Sequence, residues 1–265
     1  MRYVSFSNPL PVALSPSRLS DFQSCPRRFQ HASIDRISQP ATYATAKGNV
    51  AHYIFEQLLL QDAPLRTIEF ARNQMTGAET KVLTEKVREE VGLDEEGLEK
   101  LRREILAILD RYFEMEDPTA VVHEGVELRI NATIDGAPML GILDRLDRNA
   151  AGELTIVDYK TGSLPNRNYD AQTFANSDLY AALCESEFGQ QPTTIRLLYV
   201  AHGEAIERTV TAPVVKARRS AASNAWQRIT KYYYDGEFPA TPSKSACRFC
   251  SFKTLCQSNG VAVVI

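Results

Sequence analysis

The chain has 265 residues, with 30 Lys and Arg against 33 Asp and Glu, and its formal net charge is −3. Its apolar content of 44% is enough to bury a core, which excludes a disordered tail, and the length suits one large domain, 1–265. The sequence contains no run of about 18 apolar residues and no apolar secretion segment at its N-terminus. We therefore expect no membrane span and a cytoplasmic location.

The first half of the chain is predicted to be helical. Ser15-Pro16 is typical of a helix start, and apolar spacing predicts a helix over 48–60. Two charged amphipathic helices are predicted over 79–91 and 94–116, and their acidic excess is most simply a solvated face.

The second half begins with a change to a period of two, which is typical of strands. Strands are predicted over 121–134, 139–147, 154–160, 195–201 and 205–210, and helices over 169–188 and 214–234. Asp135-Gly136 is a strong hairpin signal between the first two strands. This order predicts an α/β (α+β) fold with a mixed sheet flanked by helices.

The charge is distributed unevenly along the chain. Residues 1–51 carry a net charge of +4 and residues 216–265 carry +6, whereas residues 52–158 carry −11. If the two ends meet in space, they form one positive surface on an acidic body.

Three of the five cysteines lie within ten residues, at Cys247, Cys250 and Cys256. A CxxC pair lets two thiolates bind one metal, and Cys25 is the candidate fourth ligand because Cys184 lies in an apolar stretch and reads as a buried thiol. Four thiolates fit either zinc or an iron–sulfur cluster, and the spacing does not choose between them. Either site would join the two chain ends.

A second group of candidate residues lies on two predicted strands. Asp158 and Lys160 share one face of their strand, and a short hairpin brings Asp144 of the preceding strand close to them. Two close carboxylates repel each other unless a cation such as Mg²⁺ or Mn²⁺ lies between them, and a lysine beside that cation can position a water. The ordinary alternative is a cross-strand Asp–Lys pair at the surface.

Five sequence blocks between residues 14 and 256 carry a family resemblance. They are the segment 14–29 around Cys25, Gly48-Asn-Val-Ala-His52-Tyr-Ile-Phe-Glu56, Gly141-Ile-Leu-Asp144-Arg-Leu-Asp147, Asp158-Tyr-Lys160-Thr-Gly162, and Cys247-x2-Cys250-x5-Cys256. In this order they resemble the RecB-like branch of the PD-(D/E)xK nuclease superfamily. The resemblance is to its iron–sulfur nucleases, which include the AddB nuclease domain and the CRISPR-associated adaptation nucleases.

The resemblance implies a role for each matching residue in a metal-dependent nuclease. His52, Asp144, Asp158 and the carbonyl of Tyr159 would bind Mg²⁺ or Mn²⁺, and Lys160 would serve the attacking water. The four cysteines would hold a 4Fe–4S cluster in a subdomain built from 14–30 and 244–258. Residues 62–118 would be a helical insertion that covers one side of the substrate groove.

The helix after the catalytic strand departs from the family pattern. The family places a Gln four residues before a Tyr, whereas here Asn176 precedes Tyr180 at that spacing and Gln172 lies one turn further back. Gln172 and Tyr180 are the candidates for this pair, with Asn176 as the alternative to Gln172. A plain polar helix face is the ordinary alternative.

The expected substrate is DNA, as single strands or duplex ends. Arg27, Arg28, Arg218 and Arg219 are predicted to contact phosphates. The resemblance implies an exonuclease that prefers single strands and acts in DNA repair or processing. The alternatives are a spacer-processing nuclease of CRISPR adaptation, with an integrase as partner, and a catalytically inactive DNA-binding module. Because the sequence has no P-loop, unwinding would require a helicase partner.

Overall fold

The computed structural model describes residues 6–165 and 173–263. The helices are α1 (Pro16–Ser24), α2 (Pro26–Phe29), α3 (Tyr43–Leu59), α4 (Ile68–Asn73), α5 (Met75–Lys81), α6 (Glu85–Val91), α7 (Glu95–Met115), α8 (Ala175–Phe188), α9 (Ala212–Asp235), α10 (Lys244–Arg248) and α11 (Lys253–Ser258). The strands are β1 (His123–Ile134), β2 (Ala137–Arg148), β3 (Leu154–Tyr159), β4 (Thr194–Tyr199) and β5 (Glu204–Thr209).

These strands form one mixed sheet in the order β1-β2-β3-β4-β5. The pairs β1–β2, β2–β3 and β4–β5 are antiparallel, whereas β3 and β4 run parallel. A parallel pair needs a crossover connection, and α8 lies in it. The predicted mixed sheet with flanking helices is therefore confirmed. The predicted start of the crossover helix at residue 169 lies outside the described residues.

Helices cover both faces of the sheet, and each face has its own apolar core. Leu146 and Ile156 point into a core shared with α1, α8 and α9. Val157 and Tyr159 point into a second core shared with α3, α4, α5 and α7. Because side chains alternate along a strand, consecutive residues of β2 and β3 belong to different layers.

Two helix boundaries differ from the sequence-based prediction because of capping. Helix α3 begins before residue 48 because Thr42 and Thr45 form a reciprocal capping box. The predicted helix over 79–91 is two helices, because the side chain of Thr84 accepts a hydrogen bond from the Val87 N–H and starts α6.

The two ends of the chain pack against each other. The rings of Phe29 and Phe238 pack in a tilted arrangement with centroids 5.7 Å apart, and the Tyr233 hydroxyl donates to the Asn8 carbonyl at 3.0 Å. None of the helices in the described parts of the chain combines the length and apolar character that a membrane crossing needs.

Candidate metal and catalytic site

Two carboxylates meet where β2 and β3 separate. The strands pair Arg145 with Val157, and continuing that register places Asp144 opposite Asp158. The backbone N–H of Tyr159 donates to the Asp144 carboxylate at 2.8 Å, which fixes that carboxylate at the end of β3. The structure thus brings together the two acidic residues of the predicted site.

Lys160 completes this group from the residue that follows β3. Its Nζ lies 2.6 Å from Oδ2 of Asp158, and its backbone N–H donates to the Leu198 carbonyl of β4 at 2.8 Å. Burial and the charge of Asp144 raise the pKa of Asp158 to about 6, although Lys160 lowers it. Burial lowers the pKa of Lys160, but the charge of Asp158 outweighs it and the net pKa is raised. Lys160 is therefore a cationic hydrogen-bond donor here.

His52 reaches the carboxylates from α3. Its Nε2 lies 3.1 Å from the Tyr159 carbonyl oxygen, and its Nδ1 lies 3.4 Å from Asp144 and 3.8 Å from Glu127. Burial lowers the pKa of His52, but hydrogen bonds to Asp144 and Glu127 outweigh it and raise the pKa to about 10. Both ring nitrogens of His52 therefore face oxygen acceptors. The imidazole is protonated at neutral pH, and its positive charge lies where a metal cation could bind.

Glu127 on β1 is a site residue that the sequence analysis missed. His52, Glu127 and Asp144 offer ligand atoms within 4.8 Å of one another, the one group of this kind found among the described residues. Glu127 has a left-handed backbone with φ of 45°, which costs energy for a residue with a Cβ. The signal was available, because a two-residue turn at Asp135-Gly136 fixes a register in which Glu127 falls opposite Asp144.

Helix α8 closes the site from one layer. The hydroxyl of Ser177 donates to Asp158 at 3.4 Å, and burial together with Asp158 and Asp144 raises the pKa of Tyr180. Gly141 makes this approach possible, because a Cβ there would lie 2.8 Å from the Tyr180 ring.

Of the two amides predicted beside Tyr180, the structure describes only Asn176, and Gln172 stays a prediction. Asn176 lines a small groove with Leu19 and Arg218, and Gln172 lies outside the described residues. An open groove of about 500 Å³ leads to the site and is lined by His52 and Glu56, among others.

The four predicted cluster cysteines lie in one region of the fold. The Thr241 N–H donates to the Cys25 sulfur at 3.4 Å. Burial and then the charges of Cys250, Cys25 and Cys247 raise the pKa of Cys256, although Arg27 lowers it. Within residues 6–165 and 173–263 the four sulfurs do not form a group as tight as the one at His52. All four thiols are free of disulfides.

The four predicted DNA-binding arginines all pair with carboxylates. The pairs are Arg27 with Glu237 at 3.8 Å, Arg28 with Asp21 at 2.7 Å, Arg218 with Asp178 at 3.3 Å, and Arg219 with Asp135 at 2.7 Å. Asp178 is almost fully buried, so its pair with Arg218 is also a contact between α8 and α9. A phosphate contact by these arginines stays a prediction.

Comparison with known proteins gives a family and a fold. The model of the PD-(D/E)XK nuclease superfamily matches residues 13–257. A crystal structure described as a "putative exonuclease" from Eubacterium rectale is similar, with a TM-score of 0.61 and 13% identity, over 96% of this chain and 90% of that chain. The structure of SSO0001 matches at a TM-score of 0.38 and 11% identity, over 88% of this chain and 94% of that chain. No curated protein matches the chain.

Proposed function

Because the chain belongs to the PD-(D/E)XK nuclease superfamily, we propose that it is a metal-dependent deoxyribonuclease with its site at the end of β3. The observation that carries this proposal is the arrangement of Asp144, Asp158, Lys160 and His52 around one point. The carboxylates repel each other. The raised pKa values of Asp158 and His52 mean that this site favours additional positive charge.

The side chains present fit Mg²⁺ or Mn²⁺. Carboxylate and carbonyl oxygens are the ligands that these hard cations prefer, and an imidazole suits Mn²⁺ better than Mg²⁺. Asp144, Asp158, His52 and the Tyr159 carbonyl would hold the metal, and Glu127 is the further ligand that its distance from His52 supports. A bound divalent ion would activate a water and neutralise charge on the phosphate.

The residues of the chain prepare the site for hydrolysis of a phosphodiester. Lys160 donates hydrogen bonds to the attacking water and to the phosphate oxygens, whose negative charge increases in the transition state. Asp158 holds Lys160 in place at 2.6 Å, and Ser177 orients Asp158. Tyr180, whose ring lies against Gly141, would limit access of bulk water to the nearby carboxylates.

The direct test is cleavage of end-labelled DNA with Mn²⁺, Mg²⁺ or EDTA. We expect cleavage with either metal and none in EDTA, and no cleavage by Asp158→Asn or Lys160→Ala. Asp158→Glu keeps the negative charge but moves the carboxylate. It therefore distinguishes the effect of removing a metal ligand from the effect of displacing it. Full activity of both disabling variants would refute the assignment. DNA binding without any cleavage by the wild type would instead identify a binding module.

We also propose a 4Fe–4S cluster at Cys25, Cys247, Cys250 and Cys256, as in the RecB-like branch. Burial raises the pKa of Cys25, but hydrogen bonds from Thr241 and neighbouring N–H groups outweigh it and lower the pKa, which favours a thiolate ligand. A zinc ion binds sulfur at about 2.3 Å, so its four sulfurs would lie about 4 Å from one another. A four-iron cluster is larger, so its four cysteine sulfurs would lie further apart.

Anaerobic purification tests the cluster. We expect about four iron and four sulfide per chain, which is the composition of one 4Fe–4S cluster, whereas about two of each would indicate a 2Fe–2S cluster on the same four thiolates. Cys25→Ala should lose both, together with stability, because the cluster closes a loop that spans most of the chain. Cys184→Ala is the matched control, since Cys184 is fully buried and should leave the iron content unchanged. Stoichiometric zinc without iron would replace this proposal with a zinc site.

The proposed biological role is exonucleolytic processing of DNA strands in repair. The open groove supports access of a strand end, and the similar solved structure carries an exonuclease description. In this proposal residues 1–265 form one nuclease domain, with 62–118 as a helical insertion and 14–30 and 244–258 as the cluster subdomain. A helicase partner would supply unwinding. Time courses on strands labelled at either end test the exonuclease mode, since single-nucleotide products are expected first.

A further inference from the structure

A basic groove lies between α3, α7 and the turn that joins β4 to β5. It has a volume of about 460 Å³, and its charged lining consists of Lys47, Lys100, Arg103, Arg111 and Glu104. Lys47 pairs with Glu104 at 2.9 Å. In the described parts of the chain no carboxylate lies within salt-bridge distance of Lys100 or Arg111. The groove therefore carries an excess of positive charge.

This excess is unexpected because α7 belongs to the most acidic part of the chain. On a helix with 3.6 residues per turn, positions 100, 103, 107 and 111 fall on one stripe. Three of these four positions are basic, and Ala107 leaves space between them. The Tyr43 ring lies beside the stripe, 5.3 Å from the Lys100 ammonium. Glu104 lies on the same stripe and lines the groove, so four cationic side chains share the groove with one carboxylate.

The groove adjoins the candidate site on two elements, since Lys47 lines this groove and the next residue, Gly48, lines the groove at the site. On α3, Lys47 precedes Gly48, where an added Cβ would lie 3.3 Å from the hydroxyl of Thr161, the residue after Lys160. On the sheet side, the backbone N–H of Lys160 donates a hydrogen bond to the Leu198 carbonyl of β4. Ala201, which follows β4, lines the groove.

The groove and the site lie close together along α3. Lys47 and His52 are five residues apart on this helix, which is about 7.5 Å along its axis. A duplex rises by about 3.4 Å per nucleotide along its own axis, so this length is on the order of a few nucleotides. A strand whose phosphate occupies the site therefore reaches the groove within a few nucleotides.

We propose that this groove binds the sugar–phosphate backbone of the DNA strand that enters the site. The proposal rests on the nuclease function proposed above, and it assigns phosphate binding to the helical insertion. The ligand is a polyanion, because the cationic side chains are spaced along a stripe and not gathered around one point. Guanidinium groups of Arg103 and Arg111 suit bidentate contact with phosphate oxygens.

The test measures equilibrium binding of labelled single-stranded and duplex DNA in EDTA, where no cleavage is expected, across a range of salt concentrations. The variant is Lys100→Gln/Arg111→Gln, which removes two exposed charges and keeps helix-forming residues. We expect the slope of log K against log salt to fall by about 1.4 on single strands and about 1.8 on duplex. The affinity difference from wild type should shrink as salt rises.

The matched control is Lys81→Gln/Lys86→Gln, which removes the same charge from exposed positions of the same insertion outside the groove. It should retain the wild-type slope, and thermal unfolding should show both double variants folded. Equal slopes for wild type and the groove variant would overturn the groove, as would an equal loss in the control. If the groove variant keeps the wild-type salt slope and the wild type cleaves DNA, the groove proposal is wrong and the nuclease proposal stands. Salt-dependent groove binding with no cleavage by the wild type refutes only the nuclease proposal.

Discussion

Two neighbouring residues of β2, Asp144 and Arg145, belong to two different charged clusters. Arg145 is fully buried and donates to Glu116 at 2.5 Å, to Asp147 at 2.9 Å and to the Tyr159 hydroxyl at 2.7 Å. Its pKa is raised well above the usual value, because these partners outweigh the effect of burial. Arg196 also pairs with Glu116 at 3.3 Å, so this arginine cluster has two cations for the carboxylates of Glu116 and Asp147.

The cluster around Asp144 has the opposite balance. Glu127, Asp144 and Asp158 converge there, and among the residues that the structure describes Lys160 and a protonated His52 offset them. The arginine cluster is the more buried of the two, yet its charges are matched, because each of its carboxylates lies beside a guanidinium. An unmatched charge, and not burial, therefore distinguishes a candidate metal site from a structural ion pair.

The largest expected effect comes from removing a carboxylate at the unmatched cluster. Asp158→Asn should lower cleavage by about 10³-fold or more, since it removes a proposed metal ligand. Its stability should be equal to or above that of the wild type, because burial and the charge of Asp144 raise the pKa of Asp158, so the folded chain favours a neutral side chain there. Single-turnover cleavage in Mn²⁺ and urea unfolding measure the two effects. A large loss of stability in this variant would contradict the charge argument.

The arginine cluster should respond in the reverse way. Glu116→Ala leaves Arg145 buried with one fewer anion, and we expect a loss of about 3–5 kcal/mol in the free energy of unfolding. Cleavage by the folded fraction should persist. The control is Glu207→Ala, whose exposed pair with Arg196 at 3.0 Å should contribute less than about 1 kcal/mol.

Metal affinity should increase with pH. A metal must displace the proton from His52, whose pKa in the metal-free protein is about 10. Below that pKa, each unit of pH should tighten Mn²⁺ binding up to about tenfold, until deprotonation is complete. Calorimetry in buffers of different ionisation enthalpy should detect one released proton near pH 8. His52→Asn should bind Mn²⁺ more weakly and lose this dependence on pH.

The smallest effect concerns backbone strain at Glu127. Glu127→Gly relieves the positive φ and should stabilise the fold by up to about 1 kcal/mol, while it weakens Mn²⁺ binding. Asp135→Gly is the control, because Asp135 has a similar φ of 47° in the hairpin turn away from the site. It should change stability without changing metal affinity. Equal metal affinity in both variants would remove Glu127 from the site.

The sequence predicted the sheet because its signals were local. Alternating apolar residues and the Asp135-Gly136 turn define β1 and β2 within a few residues, and the same alternation places Asp158 and Lys160 on one face. Ordinary capping residues such as Thr84 shifted helix boundaries, because caps compete with apolar periodicity.

The other contacts of the site depend on distances between residues in space, which the spacing of residues along the sequence does not predict. Glu127 was missed because it carries no motif and enters the site only through the hairpin register. The basic groove was missed because the net charge of 62–118 is acidic, whereas Lys100 and Arg111 share one helix face. Charge summed along a segment does not reveal a stripe that appears only when the helix forms.

The contact between His52 and Tyr159 spans 107 positions in sequence, whereas the carboxylates and Lys160 lie on one antiparallel unit of consecutive strands. Local pairings form faster than distant ones, so the carboxylates should assemble early, and His52 should join them only when α3 docks. A refolding chain would then acquire high metal affinity at a late step. Capture of Mn²⁺ during refolding would report the docking of α3, and a nascent chain would remain inactive until its two layers have closed.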